Sequence, residues 1–473
     1  MSDLDFLAQL DATAQADLVA RGALAADDLL AAYERRARVL EPILRATVAT
    51  DLAAARGRPH VPGPFAGVPF LFKDVVAYPG LRVAFGARLF AGNIAAEGSP
   101  FTARVDAAGL VTVGKSATSE LGLLGSTETL VDGVTHNPWN LAYSAAGSSG
   151  GAAAAVAAGL VPIAHASDGG GSIRVPASVC GVFGLKPSRG RTVPTSTAGS
   201  EFADLVSEGC VSRSVRDTAV FLAAVDAHHP DLAPLGDVRE PSARRLRIAT
   251  WTETLIGSEP TATVRAAYED TVALCRALGH EVIERRPPPI DGAALGDGFF
   301  LVAGAAFAQL VDMMAAMLKR PVGAGDLEPF TRAVIADARR RYDPAVVRAT
   351  FAAARTAYLA VFDACDVVLT PTLATPPWPL GHLAPWLDRE TLLARTREAV
   401  CYTPIHNVAG CPAMSVPLHQ STESPEGLPL GSQFAADIGG ESTLLGLAFE
   451  LEQARPWRDR WPAFSFPRIV ATP

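Results

Sequence analysis

Apolar residues between Asp11 and Arg36 recur at helical spacing, with Leu29, Leu30, Tyr33 and Ala37 on one face. Asp27 and Asp28 read as a helix start and Pro42 as its stop, so the chain is expected to open with two helices. The period then changes. The turn-rich stretch GPFAGVPFLFKD leads into an apolar run at 68–72, which predicts a strand with Lys73 at its end. Residues 110–113 form a second short strand pattern, 147–151 a flexible glycine-rich loop, and 152–158 an alanine-rich helix whose small side chains permit close packing. A buried strand over 161–166 runs directly into Gly169, Gly170 and Gly171. Beyond Arg213, a strand at 247–251, a helix at 264–278 and a strand at 280–284 suggest a parallel crossover. Residues 299–362 are mostly helical in pattern, and a strand at 367–370 ends in the proline-rich stretch 371–379. The alternation of elements predicts an α/β protein with helices covering a central sheet. The arginines at 339–341 read as a solvated helix face.

Composition narrows the class of protein. The 473 residues are 49% hydrophobic and 19% charged, with 41 Gly and 36 Pro, which describes a globule with a large interior and many turns. A net charge of −8 opposes a polyphosphate partner, so nucleic acid is not expected. The opening residues carry acids where a secretion leader carries Lys or Arg. The apolar stretch 152–164 is broken by Gly159 and Pro162 and is shorter than the ~20 residues that span a bilayer. Six scattered cysteines without a C-x-x-C pair fit reduced structural thiols and no metal site. Together these predict a cytoplasmic chain without membrane, metal or cofactor.

Three features carry chemistry: Lys73 in an apolar run, Ser148 within AGSSGG, and Ser172 within SDGGGSIRVPASVCG. Three glycines ahead of Ser172 let successive N–H groups point into one small volume, which suits a developing oxyanion, and the following segment reads as a helix entry whose positive end adds to that field. An isolated GGGS is more often an ordinary turn with a capping serine. A serine nucleophile needs a base, and none of the nine histidines lies in a nucleophile context. Lysine can serve if burial removes its charge, and Lys73, behind Phe70, Leu71 and Phe72, meets that condition better than any other lysine. A second hydroxyl such as Ser148 could carry the proton between them, because a hydroxyl donates and accepts at once.

The ordered run GVPFLFKD, AGSSGG and ASDGGGSIRVPASVCGVFGLKPSRGR resembles the amidase signature family, and VVLTPT, PIHNVAGCPA and GLPLGSQF extend the resemblance over nearly the whole chain. The resemblance implies one amidase signature domain over 1–473: N-terminal helices at about 1–60, a catalytic core at about 61–215, and a variable helical substrate-pocket region at about 290–390. Its fold would be a central mixed sheet with helices on both faces. It implies Ser172 as nucleophile, Ser148 as proton relay with a cis peptide bond to Gly147, Lys73 as base, and an oxyanion hole from the N–H groups of Gly169, Gly170, Gly171 and Ser172. Ser149, Asp168 and Arg174 would buttress the loop. The family's threonine ahead of the double glycine is Gly169 here, and Ala146 and Ala152 replace residues of its GGSSGGS pattern.

The expected activity is hydrolysis of amide bonds in small, largely apolar molecules, such as amino acid oligomers or anilides, through an acyl-enzyme. Carbamate or aryl ester hydrolysis would use the same residues. A non-hydrolytic amidotransferase-type subunit is the remaining alternative. The tyrosine- and glycine-rich stretch of that subunit has no counterpart between Gly304 and Arg341. The expected partner is the small-molecule substrate alone, with the chain a monomer or homodimer.

Overall fold

The computed structural model describes residues 4–195, 200–421 and 427–471. Its frame is a mixed sheet of eleven strands. In chain order these are β1 (Thr47–Thr50), β2 (Pro69–Lys73), β3 (Val111–Ser116), β4 (Ile163–Asp168), β5 (Phe183–Lys186), β6 (Ser207–Ser212), β7 (Arg247–Thr250), β8 (Glu281–Glu284), β9 (Val367–Pro371), β10 (Ala413–Gln420) and β11 (Pro429–Ala436). Across the sheet they lie in the order β1-β3-β2-β4-β6-β5-β10-β11-β9-β7-β8. β2 runs parallel to β3 and β4, and β7 parallel to β8 and β9, while the strands between these two groups pair antiparallel. The crossover expected between β7 and β8 is present, with the helix Ala262–Ala277 between them.

Strand alternation shows that both faces are covered, as the α/β reading requires. On β2, Phe70 and Phe72 enter one apolar cluster and Leu71 another. On β9, Val367 and Leu369 pack with Leu444 and Leu445, whereas Val368 packs with Tyr358 and Ala409. Strands buried on both sides read as continuous apolar runs, which is how β2 looks in the sequence.

Three local expectations change, and the solvated face at 339–341 is borne out with an addition. Pro42 does not end its helix, which runs Ala26–Leu44; the chain leaves at Arg45 in the left-handed region, and Leu40 and Leu44 keep that last turn in the core. The segment 147–151 is a fully buried junction, with Gly150 and Gly151 already in the helix Gly150–Ala157. A side chain at Gly151 would lie 2.4 Å from the Ala117 nitrogen, so glycine serves close approach there rather than mobility. Arg339 and Arg341 are exposed but reach Asp312 and Asp297 on the helix Gly292–Leu318, joining two helices. That helix, like Pro344–Asp363, is long and apolar enough to cross a membrane by length and composition, a feature the reading of 152–164 passed over. In the structure it packs Phe300 against Phe330 of the helix Pro329–Arg341.

Candidate active site

β2 and β4 are parallel, and their carboxyl ends open on the same side, where α/β sheets commonly place their ligands. β2 ends at Lys73 and β4 at Asp168. Lys73 is 1% exposed and forms no ion pair among the described residues. Its Nζ lies 2.6 Å from Ser148 Oγ and 3.1 Å from Ser167 Oγ. Burial pulls the amine down to about 7, against the opposing pull of Glu208 and Asp168. At neutral pH a large fraction of Lys73 is therefore the uncharged amine, able to accept a proton.

The segment that presents Ser148 is held tightly. Ala146 has φ 56, the Gly147–Ser148 peptide is cis, and a side chain at Gly147 would meet Leu124 and Ser126 backbone atoms at 2.8 Å. Thr127 Oγ1 donates to the Ala146 carbonyl and accepts from the Gly150 N–H, and Ser149 Oγ donates to the Ser167 carbonyl.

Between β4 and the helix Arg174–Cys180 the chain turns through Gly169, Gly170, Gly171 and Ser172. Asp168 braces this turn from its start. Its carboxylate takes the N–H groups of Gly171 at 2.6 Å and Ile173 at 3.2 Å and pairs through both oxygens with Arg174, each contact 2.9 Å. The paired Arg174 guanidinium, with the charge of Lys186 and a hydrogen bond from Asn407, holds the Asp168 carboxyl well below the usual range despite complete burial. The Gly171 N–H is thus spent on Asp168, which removes it from the set of four donors expected for an oxyanion. The N–H groups of Gly169, Gly170 and Ser172 have no hydrogen-bond partner among the described residues. Thr403 Oγ1 donates to the Gly170 carbonyl at 2.6 Å, fixing the orientation of that peptide. Gly171 has φ 135, and a Cβ there would come 2.3 Å from Thr403 Oγ1, so only glycine fits.

Arg174 is fully buried and spreads its remaining donors over the Thr403 carbonyl, His406 Nδ1, Gln433 Oε1 and Asn407 Oδ1. Burial and the adjacent guanidinium push His406 well below its ordinary value, so its ring is a neutral acceptor. Asn407 returns two hydrogen bonds to Asp168. Thr403, His406, Asn407 and Gln433 were given no role by sequence reasoning, although PIHNVAGCPA and GLPLGSQF contain all but Thr403.

Lys73, Ser148, Ser172, Gly169 and Gly170 all border one cavity of about 910 Å³. Ser172 has no side-chain hydrogen bond among the described residues. Part of the wall beyond the serines is apolar, with Val75, Phe85, Leu121, Phe299, Phe307 and Leu310, and another part carries Asn93, Arg189, Asp204 and His229. Three of these come from the helix Gly292–Leu318, within the region expected to shape the pocket. His136, Trp139 and Cys401 do not border this cavity. Glu208 and Ser167 do, and the sequence reading missed both. Ser167 had a signal in its polarity within β4, whereas Glu208 had none, since strand register with β6 brings it in.

This fold and site define a class. The family model described as Amidase matches residues 29–445, and the chain belongs to the amidase signature family of amide hydrolases. A putative amidase AmiC of Mycobacterium leprae is 39% identical over 400 residues, covering 84% of each chain. A 6-aminohexanoate-cyclic-dimer hydrolase of Paenarthrobacter ureafaciens is 36% identical over 435 residues, covering 85% of each. A solved structure of 6-aminohexanoate cyclic dimer hydrolase complexed with substrate superimposes with a TM-score of 0.88 at 31% identity, over 98% of this chain and 100% of that one.

Proposed function

We propose that this amidase cleaves amide bonds of small, largely apolar substrates with Ser172 as nucleophile, Ser148 as proton relay and Lys73 as base. The observation that carries the reading is the 2.6 Å contact between the buried Lys73 amine and Ser148 at a cavity bordered also by Ser172. Ser172 Oγ attacks the amide carbon and passes its proton to Ser148, whose own proton moves to Lys73. The carbonyl oxygen gains charge against the N–H groups of Gly169, Gly170 and Ser172. Collapse of the tetrahedral species returns the proton through Ser148 to the departing amine and leaves an ester on Ser172. Water then repeats the cycle and frees the acid. An uncharged lysine suits both halves, because its conjugate acid is strong enough to protonate an amine leaving group.

The apolar stretch of the wall around Phe299, Phe307 and Leu310 and the names of the relatives support linear or cyclic ω-amino acid oligomers and anilides as substrates. The continuous sheet supports the whole chain acting as one catalytic unit. A fluorophosphonate probe followed by peptide mass mapping tests the nucleophile: modification is expected at Ser172 and none in Ser172→Ala. Persistent labelling of folded Ser172→Ala would place the nucleophile elsewhere. For the base, kcat/KM is expected to rise with pH through a midpoint near 7, since only the deprotonated amine accepts a proton. In Lys73→Ala that limb should vanish.

A further inference from the structure

We infer that Glu208 and His165 form a positioning pair that sets the orientation and basicity of Lys73, a role that rests on the proposed function of that lysine. His165 sits in β4 with Nε2 2.9 Å from Glu208 Oε2 and Nδ1 accepting the Lys73 backbone N–H at 3.3 Å. Those two partners fix the tautomer: Nδ1 accepts, and Nε2–H donates to the carboxylate. The ring is fully buried, and burial lowers its affinity for a proton, so it stays neutral. β2 and β4 pair only at Leu71 and Ala164, and two residues later the imidazole stands where a strand carbonyl would otherwise accept the Lys73 N–H.

The same sheet face brings the carboxylate to the amine. Ser167 of β4 is the register partner of Glu208 on β6, and Ser167 Oγ is the second contact of Lys73 Nζ. His165 and Ser167 share a face of β4, so Glu208 lies across from one and diagonal to the other. Thr195 Oγ1 donates to the other carboxylate oxygen at 2.9 Å, which holds the charge in place. The charged groups acting on this arrangement are Glu208 from β6, Asp168 from β4, whose charge Arg174 balances, and Lys115 from β3, which is directed to the Val76 carbonyl. Of the two carboxylates acting on Lys73, Asp168 is paired with Arg174 and Glu208 is not paired with an arginine or lysine among the described residues. Its attraction for the protonated amine offsets part of the burial cost and keeps Lys73 a strong enough base to take a serine proton.

The test compares pH profiles of kcat/KM for wild type, Glu208→Gln and Glu208→Asp on one anilide. Glutamine keeps the shape and loses the charge, so the midpoint of the rising limb should move to lower pH by at least about 0.5 unit, with a several-fold lower plateau. Aspartate keeps the charge, so its midpoint should return towards the wild-type value while a shorter reach to His165 lowers kcat. An unmoved midpoint in Glu208→Gln overturns the inference, as does a midpoint displaced equally in Glu208→Asp. If Glu208→Gln is recovered unfolded, Glu208→Ser, which also removes the charge, takes its place and is read by the same midpoint. Lys73→Ala in parallel separates the two levels. A limb that survives in Lys73→Ala refutes the base itself, whereas one lost there but unchanged in Glu208→Gln refutes only the pair.

Discussion

Lys73 is costly to keep. Its amine loses a proton on folding: the free side chain titrates near 10.5 and the folded one near 7. Between these values the unfolded chain holds more protons, so this group's contribution to stability rises with pH, and its penalty is fully present below about 7. Lys73→Met is therefore expected to be inactive yet more stable than wild type by about 2–4 kcal/mol at pH 7, with the gap closing towards pH 10. Urea unfolding at the two pH values checks both sign and trend, and a variant less stable than wild type at pH 7 would contradict it. Arg174 is the opposite case. Removing it in Arg174→Ala strands the buried Asp168 carboxylate, with an expected loss of about 3–5 kcal/mol that the same unfolding curves would show. Lys73 was legible from its local context, an apolar strand before it, whereas Arg174 was marked by the family resemblance alone. Glu208, His165 and Thr403 were not, since their roles come from strand register and distant loops that no local pattern encodes.

At the level of elements, the glycine-rich segment 147–151 reads in the sequence as flexible where packing uses it for contact. The junction before the helix Gly150–Ala157 is buried throughout, because glycines admit neighbouring backbone where any Cβ would collide. In the Gly169–Gly171 turn the conflict lies at Gly171, against the Thr403 side chain, and Gly171→Ala is expected to lower kcat/KM by at least about a hundredfold, by displacing Thr403 and with it the Gly170 peptide. Restored activity in Gly171→Ala/Thr403→Ser would not be expected, because the positive φ remains unfavourable. The helix Gly292–Leu318 was foreseen as helical, but its full length was not, since its apolar residues lack a single stripe. One side meets Phe330 and another lines the cavity with Phe299, Phe307 and Leu310. Truncating Phe307 to Ala should raise KM for long-chain anilides about 10–100-fold, as expected for lost apolar contact, and leave kcat on an acetyl ester nearly unchanged. A kcat loss shared by both substrates would instead assign Phe307 to the reacting centre.

Across the whole molecule, the site lies where early and late segments of the chain meet. β5 pairs with β10 through Lys186–Ala413, Leu185–Met414 and Gly184–Ser415, which splices the sheet's N-terminal strands to its C-terminal ones. Phe183 and Leu185 share a core with Met414, Val416, Leu444 and Leu445, so the splice is apolar on one face. Arg174 makes a second splice, reaching from the Ser172 loop to Thr403, His406, Asn407 and Gln433. The α/β class was legible from alternating patterns, but this joining was not, because strands brought together over such sequence distances leave no periodic trace. Two splices, one of backbone and one of buried charge, make separate unfolding of the halves expensive: it would expose half of a shared core and strip the buried Arg174 guanidinium of four acceptors. Urea unfolding followed by tryptophan fluorescence and by far-ultraviolet circular dichroism should therefore give coincident transitions at one midpoint. Arg174→Ala, which cuts the charged splice alone, should separate the two curves or broaden them. Two resolved transitions in the wild-type chain would show instead that the halves are energetically independent and that the sheet's continuity carries little of the coupling.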